Sequence, residues 1–96
     1  MRRSKLEMQA DILKVLARHG PLKLTHIMYK ANVWWTVLKQ YLDFLIQQNL
    51  VEEQNLDKKR VVYAITERGL TVLKQYRKLN ASLRARADKR ELTHVF

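Results

Sequence analysis

Gly20, Pro21 and Gly69 are the only glycine and proline residues in a chain of 96. With so few breakers, helices should dominate, and the adjacent pair Gly20-Pro21 marks the one emphatic stop. Before that stop, Met8, Ile12, Val15 and Leu16 recur at helical spacing with Lys14 and Arg18 on the other face. The pattern predicts an amphipathic helix over Lys5–His19. A short second helix fits Thr25 to Ala31, where Leu24, Ile27 and Met28 lie together, and Asn32 then interrupts the pattern as a turn or cap residue. A third helix runs from about Trp34 to Asn49. On its wheel Val37, Leu38, Tyr41, Leu42, Leu45 and Ile46 gather on one face, and Thr36, Lys39, Gln40, Asp43 and Gln47 form a polar stripe opposite.

After Asn49 the period changes. Residues 50–54 and 61–65 have strand character, and Asn55–Arg60 between them reads as a hairpin loop. Thr66 followed by Glu67 opens a last helix, in which Leu70, Val72, Leu73, Tyr76, Leu79 and Leu83 continue at three- and four-residue spacings. No loop signal interrupts it before about Ala87. The order α-α-α-β-β-α is a mainly helical, α+β arrangement. The short link between the second and third helices is a helix-turn-helix connection, and the hairpin after it is a wing.

The apolar share of 47% is enough for a core, so a wholly disordered basic chain is excluded. The absence of Cys excludes a disulfide framework or thiolate centre. No apolar run approaches the ~20 residues of a membrane span and no signal-type segment follows Met1, so a soluble, intracellular protein with no membrane partner is expected. His19, His26 and His94 lack metal-site spacing, no paired-carboxylate or nucleophile constellation stands out, and there is no glycine-rich phosphate loop. Neither enzyme activity nor a cofactor or metal is expected. A net charge of +10 attracts polyanions, of which nucleic acid is the commonest in a cell. Residues 1–65 carry 11 basic and 6 acidic side chains and residues 66–96 carry 8 and 3, so the last third is the more densely basic.

On the third helix, Thr36, Lys39 and Gln40 occupy the first two turns of the polar stripe. Gln40 can pair with adenine, Lys39 can reach guanine or phosphate, and Thr36 suits a phosphate or a methyl group. Asp43 argues against the later turns lying close to phosphate. Trp34 projects toward the apolar side of the wheel and Trp35 toward its margin. Either both pack on the first two helices, or at least one indole stays partly exposed at the leading end of the helix to touch a thymine methyl, sugar or phosphate. Lys58, Lys59 and Arg60 at the wing are expected to contact phosphate, and Lys30, Arg2 and Arg3 are weaker candidates of the same kind. In the last helix Val72, Tyr76, Leu79 and Leu83 fall at a/d spacing, the minimum for a two-stranded seam. Leu70 and Leu73 can pack back on the domain, Arg86 and Arg90 end the seam near Leu83, and Leu92, Val95 and Phe96 dock elsewhere or fray.

The stretches Ile27-Met28-Tyr29-Lys30-Ala31-Asn32, Tyr41-Leu42-Asp43-Phe44-Leu45, Leu50-Val51 and Tyr63-Ala64-Ile65-Thr66-Glu67-Arg68-Gly69 occur in the order found in archaeal winged-helix proteins of the 10a chromatin-associated type. The chain resembles that family from about Ser4 to Leu83. It departs from it at Trp34, where a small polar cap residue is usual. The resemblance implies a domain over 1–69 that binds double-stranded DNA, and a dimerisation helix with a basic tail over 70–96. It further implies an antiparallel coiled-coil homodimer acting as a transcription regulator or nucleoid-associated chromatin protein in the cytoplasm. The rival expectations are a winged-helix protein-interaction module and an RNA-binding protein.

Overall fold

The computed structural model describes residues 3–94, with side-chain surroundings as far as Arg84. The expectations for Arg2, Val95, Phe96 and the side chains of Arg86, Arg90 and Leu92 lie outside the described residues. The elements follow the expected order: α1 (Lys5–His19), α2 (Leu24–Ala31), α3 (Trp35–Gln47), β1 (Val51–Asp57), β2 (Arg60–Ile65) and α4 (Glu67–His94). Among the described residues, no helix is long and apolar enough to cross a membrane.

Helix α1 begins with a capping box. The Ser4 hydroxyl accepts the Glu7 N–H at 3.0 Å while the Glu7 carboxylate reaches back to the Ser4 N–H. Two helix-terminal donors are thereby satisfied. The helix ends on Gly20 at φ +78°, whose N–H bonds to the Leu16 carbonyl. Its buried face is turned slightly from the expected one: Ala10, Ile12, Leu13 and Leu16 are buried, and Met8 and Val15 sit at the margin. Helix α2 buries Ile27 and Ala31 and stops on Asn32, which adopts the left-handed conformation at φ 54°, ψ 50°. Asparagine tolerates that region better than most residues.

The hairpin is antiparallel, with Val51 opposite Ile65, Glu53 opposite Tyr63 and Asp57 opposite Arg60. The expected six-residue loop shrinks to the Lys58-Lys59 turn. The cause is local: the Asp57 carboxylate accepts the Lys59 N–H at 2.9 Å, tightening the chain so that Asn55–Asp57 and Arg60 join the strands. Leu22, just after the Gly20-Pro21 stop, exchanges two backbone hydrogen bonds with Tyr63 and covers the free side of β2.

Ile12 and Leu16 of α1, Ile27 of α2, Leu38, Leu42 and Leu45 of α3, Val51 of β1 and Leu73 of α4 are the most deeply buried side chains. Every element except β2 thus contributes a residue to the centre, and β2 supplies the buried Val62 and Ala64. Leu70, expected to pack back on the domain, is exposed, because Leu73 and Val72 turn the inward face of α4 away from it.

Gly69 lies in the first turn of α4 against the corner between α3 and β1. A Cβ there would overlap the Leu50 carbonyl oxygen and the Ile65 side chain. Replacing a helical glycine by alanine ordinarily stabilises by roughly 0.5–1 kcal/mol. At Gly69 the overlap should reverse the sign, so Gly69→Ala should lose about 1–3 kcal/mol, seen as a lower midpoint in urea unfolding with an unchanged slope.

Candidate nucleic-acid interface

The link between α2 and α3 is three residues, Asn32, Val33 and Trp34. Val33 is buried and its N–H bonds to the Met28 carbonyl at 3.2 Å, which pins the turn to α2. Trp34 is the residue before α3, with extended backbone at φ −67°, ψ 152°, and its side chain caps nothing. Its carbonyl accepts the first helical bond, from Leu38 N–H at 2.8 Å. The wheel placement of Trp34 toward the apolar side is therefore corrected: the residue precedes the helix, and its side chain is 73% exposed. Trp35, the first helical residue, is 43% exposed, and the Lys39 Nζ stands 5.5 Å from its ring centroid. That distance suits a cation–π contact. Packing of both indoles on the first two helices does not occur.

Behind them, Thr36, Lys39, Gln40, Asp43 and Gln47 are all exposed, while Leu38, Leu42 and Leu45 anchor the opposite face in the core. The base-reading candidates on the first two turns thus face solvent on a helix whose orientation the core sets. Asp43 and Glu53 both raise the Tyr63 phenol above its ordinary range, after the larger effect of its burial. The negative end of the α3 stripe therefore belongs to the side facing the base of the hairpin.

At the wing tip Lys58, Lys59 and Arg60 are exposed, together with Leu56. Arg60 Nε lies 3.8 Å from the Asp57 carboxylate, an exposed pair of little energetic weight. Lys58 and Lys59 make no ion pair among the described residues.

Arg3 behaves differently from the phosphate contact expected of it. Its guanidinium bonds the Asp11 carboxylate at 2.7 Å, the Ala31 carbonyl at 2.8 Å and the Asn32 carbonyl. It straps the start of the chain to the end of α2. Beside it a cleft of about 410 Å³ is lined by Arg3, Lys14, Arg18, His19 and Lys30, with Asp11 as its one acid. Partial desolvation, then the neighbouring Lys30 and Arg18 charges, hold the His19 imidazole below its ordinary pKa. Sequence reasoning recognised Lys30 but missed this cleft, because it depends on how α1 and α2 pack. Tyr29, 77% exposed, was also missed. Its signal was present, since Ile27 and Ala31 point inward four residues apart and Tyr29 stands between them on the far side.

Helix α4 carries Leu73 into the core and then leaves the domain, giving the molecule extents of 63 × 27 × 21 Å. Of the seam residues, Val72 packs against the core and Tyr76 is half-buried, with the Lys14 Nζ 5.7 Å from its ring centroid. Leu79 and Leu83 are exposed. With Leu6 of α1 and Tyr76 they line an open cleft of about 470 Å³ between α1 and α4.

A winged helix-turn-helix sequence profile matches residues 2–84. No curated protein matches the chain in sequence. Among solved structures, Sso10a-2, a DNA-binding protein from Sulfolobus solfataricus, superposes with a TM-score of 0.71 at 26% identity over 91% of this chain and 92% of that one. YodB, a transcriptional regulator from B. subtilis, gives 0.67 at 26% identity over 76% and 74%. RV1404 from Mycobacterium tuberculosis gives 0.72 at 24% identity, covering 86% of this chain, which spans only 58% of that protein. The order of elements, the three-residue turn before an outward-facing third helix and the profile agree, and the chain belongs to the winged helix-turn-helix family.

Proposed function

We propose that the protein binds double-stranded DNA as a homodimer, acting as a transcription regulator or a chromatin-organising protein. The observation that carries this reading is the solvent face of α3. Trp35, Thr36, Lys39 and Gln40 form an exposed surface on a core-anchored helix, and a lysine-tipped hairpin extends from that helix's far end. An α-helix fits the B-DNA major groove, where Gln40 and Lys39 have base-edge partners, while Lys30, Lys58, Lys59 and Arg60 supply charge for the backbone. The likeness to a DNA-binding protein from Sulfolobus solfataricus over nearly the whole of both chains supports it. So does the projection of α4, whose Leu79 and Leu83 are more than half exposed. A second copy of α4 running antiparallel would bury them beside Val72 and Tyr76 and set the spacing between two reading heads.

Titration of duplex DNA over a range of salt concentrations tests the reading, since each neutralised phosphate contributes about −0.9 to the log–log slope. The combined variant Lys58→Ala, Lys59→Ala, Arg60→Ala should flatten the slope by up to about 2.7 per protomer and weaken all sequences alike. Gln40→Ala should instead change the ranking of sequences. An affinity indifferent to salt would refute duplex binding.

Leu79→Asp with Leu83→Asp should yield the monomer mass in sedimentation equilibrium while the circular dichroism of the winged domain persists. A dimer mass in that variant would place the interface elsewhere.

Phosphate drawn to Lys30 and Arg18 would offset the repulsion that these cations exert on His19, so the imidazole should hold its proton more readily in the complex than in the free protein. Binding then takes up a proton, and affinity rises as pH falls from the pKa in the complex to the lower one of the free protein. His19→Gln should flatten this part of the affinity–pH profile, whereas His26→Gln should leave it unchanged.

A further inference from the structure

Tyr29 and Trp34 are 77% and 73% exposed, at the end of α2 and just before α3. They line one hollow of about 320 Å³, together with Met28, Asn32 and Val33. The core does not need either ring, because Ile27, Ala31 and Val33 fill the interior of this turn. The left-handed Asn32 reverses the chain between them, which brings residues of α2 and of the link before α3 to the same opening. The floor is apolar, the rim carries the exposed Asn32 side chain, and no acidic residue lines it. Lys30 adjoins Tyr29 in the chain, and Lys39 lies over the neighbouring Trp35.

We propose that Tyr29 and Trp34 form an aromatic clamp for one unstacked nucleobase, so that the protein prefers duplex with a bulged or unpaired base over fully stacked duplex. The proposal rests on the duplex-binding reading above and adds a substrate class to it. A base has two flat apolar faces and a polar edge, which suits two aromatic rings over an apolar floor with an amide at the rim. It also arrives on a polyanion, which suits the surrounding positive charge and the missing acids. In a fully stacked duplex the faces of the base are covered by its neighbours. Only a base already out of the stack, or easily released from it, offers them.

The test uses the full chain and a labelled duplex, fully paired or with a single extra thymine, read by fluorescence anisotropy. The bulged duplex should bind about 5- to 150-fold more tightly, the range of a single base-stacking contact. Trp34→Ala and Tyr29→Ala should each bring that ratio toward one, and Trp34→Phe, which keeps a ring, should retain most of it. In the Trp35→Phe background Trp34 is the sole indole, and its emission should fall on adding the bulged duplex. Equal affinity for the two duplexes, or a preference that survives both alanine variants, overturns the clamp and leaves duplex binding standing. Binding to neither duplex overturns both readings. Trp34 emission that shifts with protein concentration alone means a second copy fills the hollow, and also overturns the clamp.

Discussion

Helix α3, the wing and α4 are joined at one backbone junction, and the orientation of all three depends on it. The Thr66 hydroxyl donates to the Asn49 carbonyl at 2.6 Å and accepts the Gly69 N–H at 2.9 Å. The Thr66 N–H bonds to the Leu50 carbonyl, and the Leu50 N–H bonds back to Leu45 in α3. The end of α3, the start of β1 and the first turn of α4 are thereby tied within a few residues. The approach is so close that Gly69 has no room for a side chain. A change of direction in α4 would therefore displace the base of the wing and the far end of α3 together. In a dimer built through α4, this junction would convert the geometry of the seam into the placement of each reading helix.

The other end of α3 is held by less. Asn32 and Val33 pin the turn to α2, and Arg3 straps the preceding carbonyls to Asp11 of α1. A cation that the sequence offers only as a weaker phosphate candidate thus braces the turn beside the exposed rings. The Ser4–Glu7 capping box fixes the start of α1 immediately after Arg3, whose guanidinium bonds the Ala31 and Asn32 carbonyls ahead of α3.

Element types and their order were legible because periodicity and scarce breakers speak directly to them. Helix faces and edges were less so. Of the α1 face expected from Met8, Ile12, Val15 and Leu16, Ile12 and Leu16 are buried, but tertiary packing adds Ala10 and Leu13 and leaves Met8 and Val15 at the margin. Trp34 was misplaced because a wheel presumes its residue is helical, and a shift of one position in the boundary converts a flank into an extended, exposed residue. Strand ends were underestimated for a similar reason: Asp57 reads as a loop residue, yet its carboxylate closes the two-residue turn that lets Arg60 pair with it. Among the candidate site residues, Lys39, Gln40 and the wing cations are proposed from the chain alone, and the structure leaves their side chains exposed. The Arg3 strap and the cationic cleft around His19 could not be read from the chain, since each requires two elements brought together by the core, and the hollow between Tyr29 and Trp34 could not because it depends on the left-handed turn at Asn32.

The net charge of +10 acquires its meaning through pairing. Asp11 is shared by Arg3 and Lys14, and Asp57 faces Arg60. Glu7 caps α1, and Asp43 and Glu53 stand near the Tyr63 phenol. The cations that the described acids leave unpaired include Arg18, Lys30, Lys39, Lys58 and Lys59, which lie around the turn, on α3 and at the wing tip. Charge of this kind falls off with salt and treats every phosphate alike, so it can raise affinity for any nucleic acid without choosing among them. Choice must come from groups that meet base edges or faces. Under the proposed reading those would be Gln40 and Lys39 for edges and the exposed rings for faces, and the two kinds of group would demand different DNA: an intact major groove for the first, an opened stack for the second.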